Sequence, residues 1–247
     1  MIYVLSDIHG NKVNFESILD MIRLQPEDSL YVLGDVIDRY PYGVQILQQI
    51  MKMPNAYMVL GNHEWMMMKA LNIKSEAVES IIGSKQETYK HKIETLALWY
   101  GNGGEPTHTE WNKLSENERE EIAGYLMSIP LSYEVEIANR KFKLVHAVPI
   151  EFYQRYNSSK FQNAIEYAVW ERKLPEYPLD TDTDYTIIFG HTPTFYLQDS
   201  IPLKIWESGN KIGIDCGSGF PKPTNWFQVA GRLACIRLDD MQTFYSK

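Results

Sequence analysis

Short apolar runs that end abruptly in polar clusters constrain this chain more than any other feature. Residues 2–5, 30–33, 56–60, 142–148 and 185–189 are rich in Val, Ile, Tyr and Phe, and each is followed closely by Asp, Asn, His or Gly. Such runs fit buried strands, and the clusters fit the loops at their ends. Between the first two runs Val13, Phe15, Ile18, Leu19 and Ile22 recur at helical spacing, and Val44, Ile46, Leu47 and Ile50 do so before the third. The order strand, helix, strand, helix, strand predicts an α/β fold, in which loops at the carboxyl ends of parallel strands gather into a site.

From about Glu64 to Pro130 the texture changes to Met, Glu, Lys and Leu, broken by Gly83 and by Gly101-Asn102-Gly103-Gly104. This predicts a helical insert at about 65–130. Beyond it, 131–148 reads as two strands around Ala138-Asn139-Arg140, 160–172 as helical and 203–238 as strand-rich, so two sheets are expected. A Pro- and Asp-rich loop at 174–184 is placed to flank a site. No repeat or long linker divides the chain, and residues 1–247 are expected to form a single domain.

Composition narrows the function. With 44% hydrophobic and 23% charged residues the chain is globular, and 24 Lys+Arg against 32 Asp+Glu give a net charge of -8. That charge repels nucleic acid and anionic membranes, so neither is expected as a partner. Two cysteines, Cys216 and Cys235, are too few for a disulfide framework and read as buried thiols. The N-terminal apolar run lacks a basic flank and is too short for a signal or a span, which points to the cytoplasm.

Five clusters follow the strand-like runs: Asp7-Ile8-His9-Gly10-Asn11, Gly34-Asp35-Val36-Ile37-Asp38-Arg39, Gly61-Asn62-His63-Glu64, His146-Ala147 and Gly190-His191-Thr192. They hold four of the six histidines. Gathered at one sheet edge they supply carboxylates, imidazoles and an amide oxygen, a set suited to a pair of divalent metals. Manganese, iron or zinc fits such donors, whereas an all-oxygen set would indicate magnesium or calcium.

These clusters, in this order, resemble the calcineurin-like metallophosphoesterase superfamily, and the second and third resemble its phosphoprotein phosphatase branch, which includes bacterial and phage serine/threonine phosphatases and symmetrical diadenosine tetraphosphatases. The resemblance runs from residue 4 to about 238. It implies a four-layer α/β/β/α sandwich of two mixed sheets, with the helical insert in the place of a variable cap. It also implies two divalent metal ions, manganese first, with Asp7 and His9 on one, Asp35 bridging both, and Asn62, His146 and His191 on the other. A metal-bridging hydroxide would attack phosphorus, and His63, oriented by Asp38, would protonate the leaving group. Arg39 and Asn62 would hold the phosphoryl oxygens. Val169-Trp170-Glu171-Arg172 resembles the bacterial Trp-x-Arg segment and nominates Arg172 as a second phosphate-binding arginine. Three departures stand out: Tyr40 and Val148 where Gly is usual, and Ile214-Asp215-Cys216-Gly217 where Ile-Asp-Thr-Gly is usual.

Other residues have simpler readings. His91 and His108 lie outside every cluster and read as structural; Trp65, Met66, Met67, Met68, Trp99, Tyr100 and Trp111 read as packing within the insert; Glu116 to Glu121 reads as a solvated helix face. The expected activity is hydrolysis of phosphomonoesters, foremost phosphoserine or phosphothreonine in proteins, though small phosphorylated substrates fit as well. A dinucleoside polyphosphate hydrolase is the alternative. A phosphate-binding module without catalysis is a third, disfavoured by the complete ligand set.

Overall fold

The computed structural model describes residues 1–74, 89–157, 160–179, 183–220 and 231–247. In chain order, β1 (Ile2–Leu5), α1 (Lys12–Ile22), β2 (Ser29–Val32), α2 (Gly43–Lys52) and β3 (Ala56–Met58) build the first half-sheet. The helices α3 (Asn62–Ala70), α4 (Tyr89–Gly101), α5 (Glu105–Trp111) and α6 (Glu116–Ser128) follow. The chain continues through β4 (Ser132–Ile137), β5 (Arg140–Val145), α7 (Tyr153–Tyr156), α8 (Ala164–Trp170), β6 (Tyr185–Phe189), β7 (Trp206–Ser208) and β8 (Lys211–Gly213). It ends in β9 (Ala234–Arg237) and β10 (Gln242–Tyr245).

Two five-stranded mixed sheets result, ordered β10-β9-β1-β2-β3 and β4-β5-β6-β8-β7. β1, β2 and β3 are parallel, as are β5, β6 and β8, while β9, β10, β4 and β7 join antiparallel at the flanks. Alternation along each strand explains the layers. In β1, Tyr3 and Leu5 pack among the helices with Phe15, Ile18, Ile46 and Leu47, whereas Val4 faces the second sheet with Leu144, Ile188 and Ile212. In β6, Ile188 lies in this intersheet core, and Ile187 and Phe189 face outward onto Tyr167 and Leu174. Each of these strands is covered on both faces, hence the near-continuous apolar runs, and the α/β/β/α sandwich follows.

The helices depart from the sequence reading in two places. Val13 is 73% exposed; it lies two residues, about 200° of helical turn, from Phe15 and so faces away from the core. The 160–172 stretch is helical only from Ala164, where the Asn163 side chain accepts a hydrogen bond from the Glu166 amide at 2.9 Å. α6 opens on a capping box between Ser115 and Glu118, buries Ile122 and Leu126, and exposes Glu116, Glu120 and Glu121. The side chain of His91 lies outside the described residues, as does Gly83. Among the described residues no helix is long and apolar enough to cross a membrane.

Candidate metal centre

The carboxyl ends of β1, β2, β3, β5 and β6 carry the polar clusters, and their side chains meet because the loops turn sharply. Asp7, His9, Asp35, Asp38, Arg39 and His191 all adopt left-handed φ, between 54° and 74°. For residues with a side chain this costs of order 1–3 kcal/mol each, so the surroundings must hold them. Backbone hydrogen bonds from Asp7, His9 and Gly10 to the carbonyls of Gly34, Asp35 and Val36 (3.1, 2.9 and 2.7 Å) zip the first loop to the second. The buried Glu64 carboxylate accepts the amides of Asp35 and Val36 at 2.9 and 2.8 Å and fastens the second loop to α3. Gly34 has φ 79°, and a Cβ there would lie 2.6 Å from the Gly61 Cα, so only glycine lets the loops after β2 and β3 touch.

Two overlapping groups of donors form. His9, Asp35 and His63 offer atoms within 4.8 Å of one another, and so do Asp35, His146 and His191. Asp35 stands in both: Oδ2 is 3.7 Å from His9 Nε2, and Oδ1 is 3.4 Å from His146 Nε2. Asp7 Oδ1 lies 3.8 Å from His9 Nε2, and Asn62 Oδ1 lies 3.0 Å from His146 Nε2. The remaining ring nitrogens are occupied by backbone carbonyls, His9 Nδ1 at 3.2 Å from Ile37 O and His146 Nδ1 at 2.7 Å from Leu33 O, which turns both Nε2 atoms inward.

The electrostatics suit a cation. Burial pushes the pKa of His9 and His191 well below the ordinary value, with Arg39 and Arg172 respectively adding to it, and burial lowers His146 too. All three are therefore neutral, the ligating form. Burial and then the neighbouring Asp215 and Asp35 carboxylates raise Asp7 well above the usual range, and burial raises Asp215 to about 6. A positive ion among these carboxylates would relieve their repulsion. Imidazole, carboxylate and amide donors without thiolate fit a divalent transition metal.

Beside these groups stands a second constellation. His63 Nδ1 is 2.7 Å from Asp38 Oδ2, and its Nε2 is 3.3 Å from the Arg39 guanidinium. Burial opposes the charged form of His63, but the Asp35 carboxylate and the Asp38 hydrogen bond outweigh it and raise the pKa. Asp7, Asp35, Asn62, His63 and His191 line a cleft of 380 Å³ together with Arg39, Arg172, Trp170, Tyr196 and Phe220. Arg172 lies two residues beyond α8 and donates to the His191 carbonyl at 2.6 Å. The ten residues singled out from the sequence thus occupy one place, though His63 is itself among the clustered donors where the resemblance had it only as an acid.

Several participants were not singled out. Against the expectation of packing alone, the buried Trp99 also donates its indole N–H to both oxygens of Asp38 (2.9 and 3.1 Å). Thr107 Oγ1 accepts the Asp38 amide at 2.9 Å. Tyr100 is 41% exposed and not packed inside; its hydroxyl meets His108 Nδ1 at 2.6 Å. Glu64, in the first turn of α3, carries a hint, since acids there sit near free amides; for Trp99 no sequence signal existed. The Tyr40 ring is not among the groups lining the cleft, and its amide bonds the His9 carbonyl at 3.1 Å. Val148 fills the outer apolar cluster with Tyr167 and Leu174.

Comparison with known proteins accords with this geometry. A symmetrical bis(5'-nucleosyl)-tetraphosphatase of Wigglesworthia glossinidia brevipalpis is 41% identical over 64 residues, covering 25% of this chain and 24% of that enzyme. The chain thus matches about a quarter of such relatives. An uncharacterized protein of Methanocaldococcus jannaschii is 24% identical over 213 residues, 86% of this chain and 67% of that one. Among solved structures, a metallophosphoesterase from Sphaerobacter thermophilus superposes with a TM-score of 0.52 at 17% identity, covering 99% of this chain and 86% of its own, a likeness of fold. The calcineurin-like phosphoesterase model matches residues 1–212, and with the loops, donors and sandwich all in place the chain belongs to that family.

Proposed function

We propose that this chain is a two-metal phosphohydrolase of the cytoplasm that cleaves phosphomonoesters, foremost phosphoserine or phosphothreonine in proteins. The observation that carries this reading is the buried Asp35, whose two oxygens face separate imidazole groups beside the Asp38–His63–Arg39 constellation. Asp7 and His9 would hold one ion, Asn62, His146 and His191 the other, and Asp35 both, with manganese the first choice. Bound divalent ions supply positive charge at the phosphoryl oxygens and make water nucleophilic near neutral pH.

The chain's own residues do the rest. Arg39 and Arg172, from opposite halves of the sequence but lining one cleft, hold the non-bridging oxygens of a terminal phosphate and set it for in-line attack. The His63 Nδ1–H donates to Asp38, which with Asp35 favours the doubly protonated ring; its Nε2–H faces the cleft and passes that proton to the leaving oxygen, leaving the neutral Nδ1–H form. The net charge of -8 disfavours a long polyanion.

A second reading, a dinucleoside polyphosphate hydrolase, has specific support: Tyr196, 68% exposed, and Trp170 line the cleft where a base could stack, and relatives are named for that activity. The deciding experiment compares turnover of a phosphopeptide with that of diadenosine tetraphosphate, each with manganese and with chelator. Faster manganese-dependent turnover of the phosphopeptide supports the first reading, faster dinucleotide cleavage the second. Phosphate binding without turnover of either refutes both.

A further inference from the structure

The Asp38–Arg39 corner depends on the helical segment to an extent that packing does not explain. Both residues are left-handed, with φ 74° and 69°, and three groups from one short stretch hold them. Thr107 Oγ1 accepts the Asp38 amide at 2.9 Å, the Gly103 carbonyl accepts the Arg39 amide at 2.8 Å, and the Trp99 indole donates to the Asp38 carboxylate. Trp99, Asp38 and Thr107 are all 0% exposed, so no water competes. Gly104 permits the arrangement, since a Cβ there would lie 2.5 Å from the Trp99 ring.

Indole is a donor only, so Asp38 facing it must remain an acceptor, and an acceptor toward His63 fixes the ring proton on Nδ1. We propose that Trp99 is a positioning residue: its indole N–H locks the Asp38 carboxylate, and through it the orientation and tautomer of His63, so that the helical segment sets the proton donor of the reaction. This rests on the acid role proposed for His63. Trp99 is neither one of the clustered donors nor part of the cleft lining, and both hydrogen bonds of its indole go to Asp38, so its side chain acts through Asp38.

The test is Trp99→Phe, which keeps a ring and removes the N–H. Turnover of an alkyl phosphate should fall about tenfold or more, the scale of one hydrogen bond to a charged group, whereas 2,4-dinitrophenyl phosphate, whose leaving group needs no proton, should lose less than about twofold. KM and metal content should hold. In a His63→Asn background the same change should cost nothing further, because the group it positions is gone. A readout independent of turnover is the His63 Nδ1–H proton in spectra of histidine-labelled protein, protected from water exchange in the parent and exchanging faster in Trp99→Phe.

Equal losses on both esters, or a full additional loss in the His63→Asn background, would overturn the proposal. If His63→Asn itself shows no preference between leaving groups, the acid role is what fails, and the exchange measurement then judges Trp99 alone: unchanged protection refutes positioning. Should Trp99→Phe not fold, Thr107→Val removes the acceptor of the Asp38 amide and is held to the same outcomes.

Discussion

Replacing Asp35 with Asn should separate the charge of the proposed shared ligand from its shape. The amide keeps an oxygen where Asp35 Oδ1 accepts the His63 amide at 3.0 Å, so the α3 junction survives. What disappears is the anion placed 3.4 Å from His146 Nε2 and 3.7 Å from His9 Nε2, and with it the proposed ligand of each ion. Manganese at about 100 times its dissociation constant stabilises a folded protein by about 2.7 kcal/mol per site. In a chain of this size 1 kcal/mol moves Tm by about 2–4 °C, so each occupied site adds roughly 5–11 °C. A hundredfold weaker site at the same concentration retains only about 0.4 kcal/mol, or roughly 1–2 °C. Thermal unfolding with manganese and with chelator measures this, and His108→Ala, outside both donor groups, should keep the full shift. A parental manganese shift in Asp35→Asn would refute the shared-ligand reasoning.

Arg39→Ala or Arg172→Ala should each cost about 2–4 kcal/mol in kcat/KM, with metal content unchanged and weaker inhibition by inorganic phosphate; Lys at either position should recover only part. Mass analysis after thiol alkylation should find Cys216 and Cys235 unmodified in the native protein at pH 8 and modified once it unfolds. Burial raises both pKa values to about 12, which leaves roughly one thiolate in ten thousand at that pH. Gly34→Ala should lower Tm by about 4–12 °C, from the left-handed penalty of 1–2 kcal/mol plus a clash worth about 1 kcal/mol or more; a calorimetric Tm within a degree of the parent would discount the close approach to Gly61.

The strands and their polar ends were legible because burial on both faces forces consecutive apolar residues, as in Leu30 to Leu33 and Tyr185 to Phe189, and a change of texture marks where the strand leaves the sheet. That Asp7, Asp35 and Asn62 would meet followed from parallel strands sharing an edge, as did the approach of His146 to His191, but a single sheet edge was expected and the edges of two facing sheets supply the donors. The contacts that the helical segment makes with the second loop were not legible. Trp99 reaches Asp38 across 61 positions, and nothing local distinguishes an indole that packs from one that also donates. Glu64 stood in a quoted motif, yet its role as the anchor of the Asp35 and Val36 amides depends on a turn with left-handed φ at Asp35. Tertiary hydrogen bonds hold that turn; local propensity does not favour it.

The two sheets touch at the candidate centre through more than apolar packing. His191 N donates to Asp7 Oδ2 at 2.9 Å, His146 Nδ1 meets the Leu33 carbonyl, and a Cβ on Gly190 would collide with Ser6 and Asp7. Asp7, His9, Asp35 and Asn62 belong to the edge of one sheet, His146 and His191 to the edge of the other. The centre is therefore a seam. A cation coordinated across it would tie the two layers together, and its donors would keep their spacing only while the sheets keep theirs. Cohesion of the sandwich and readiness of the site are the same mechanical property.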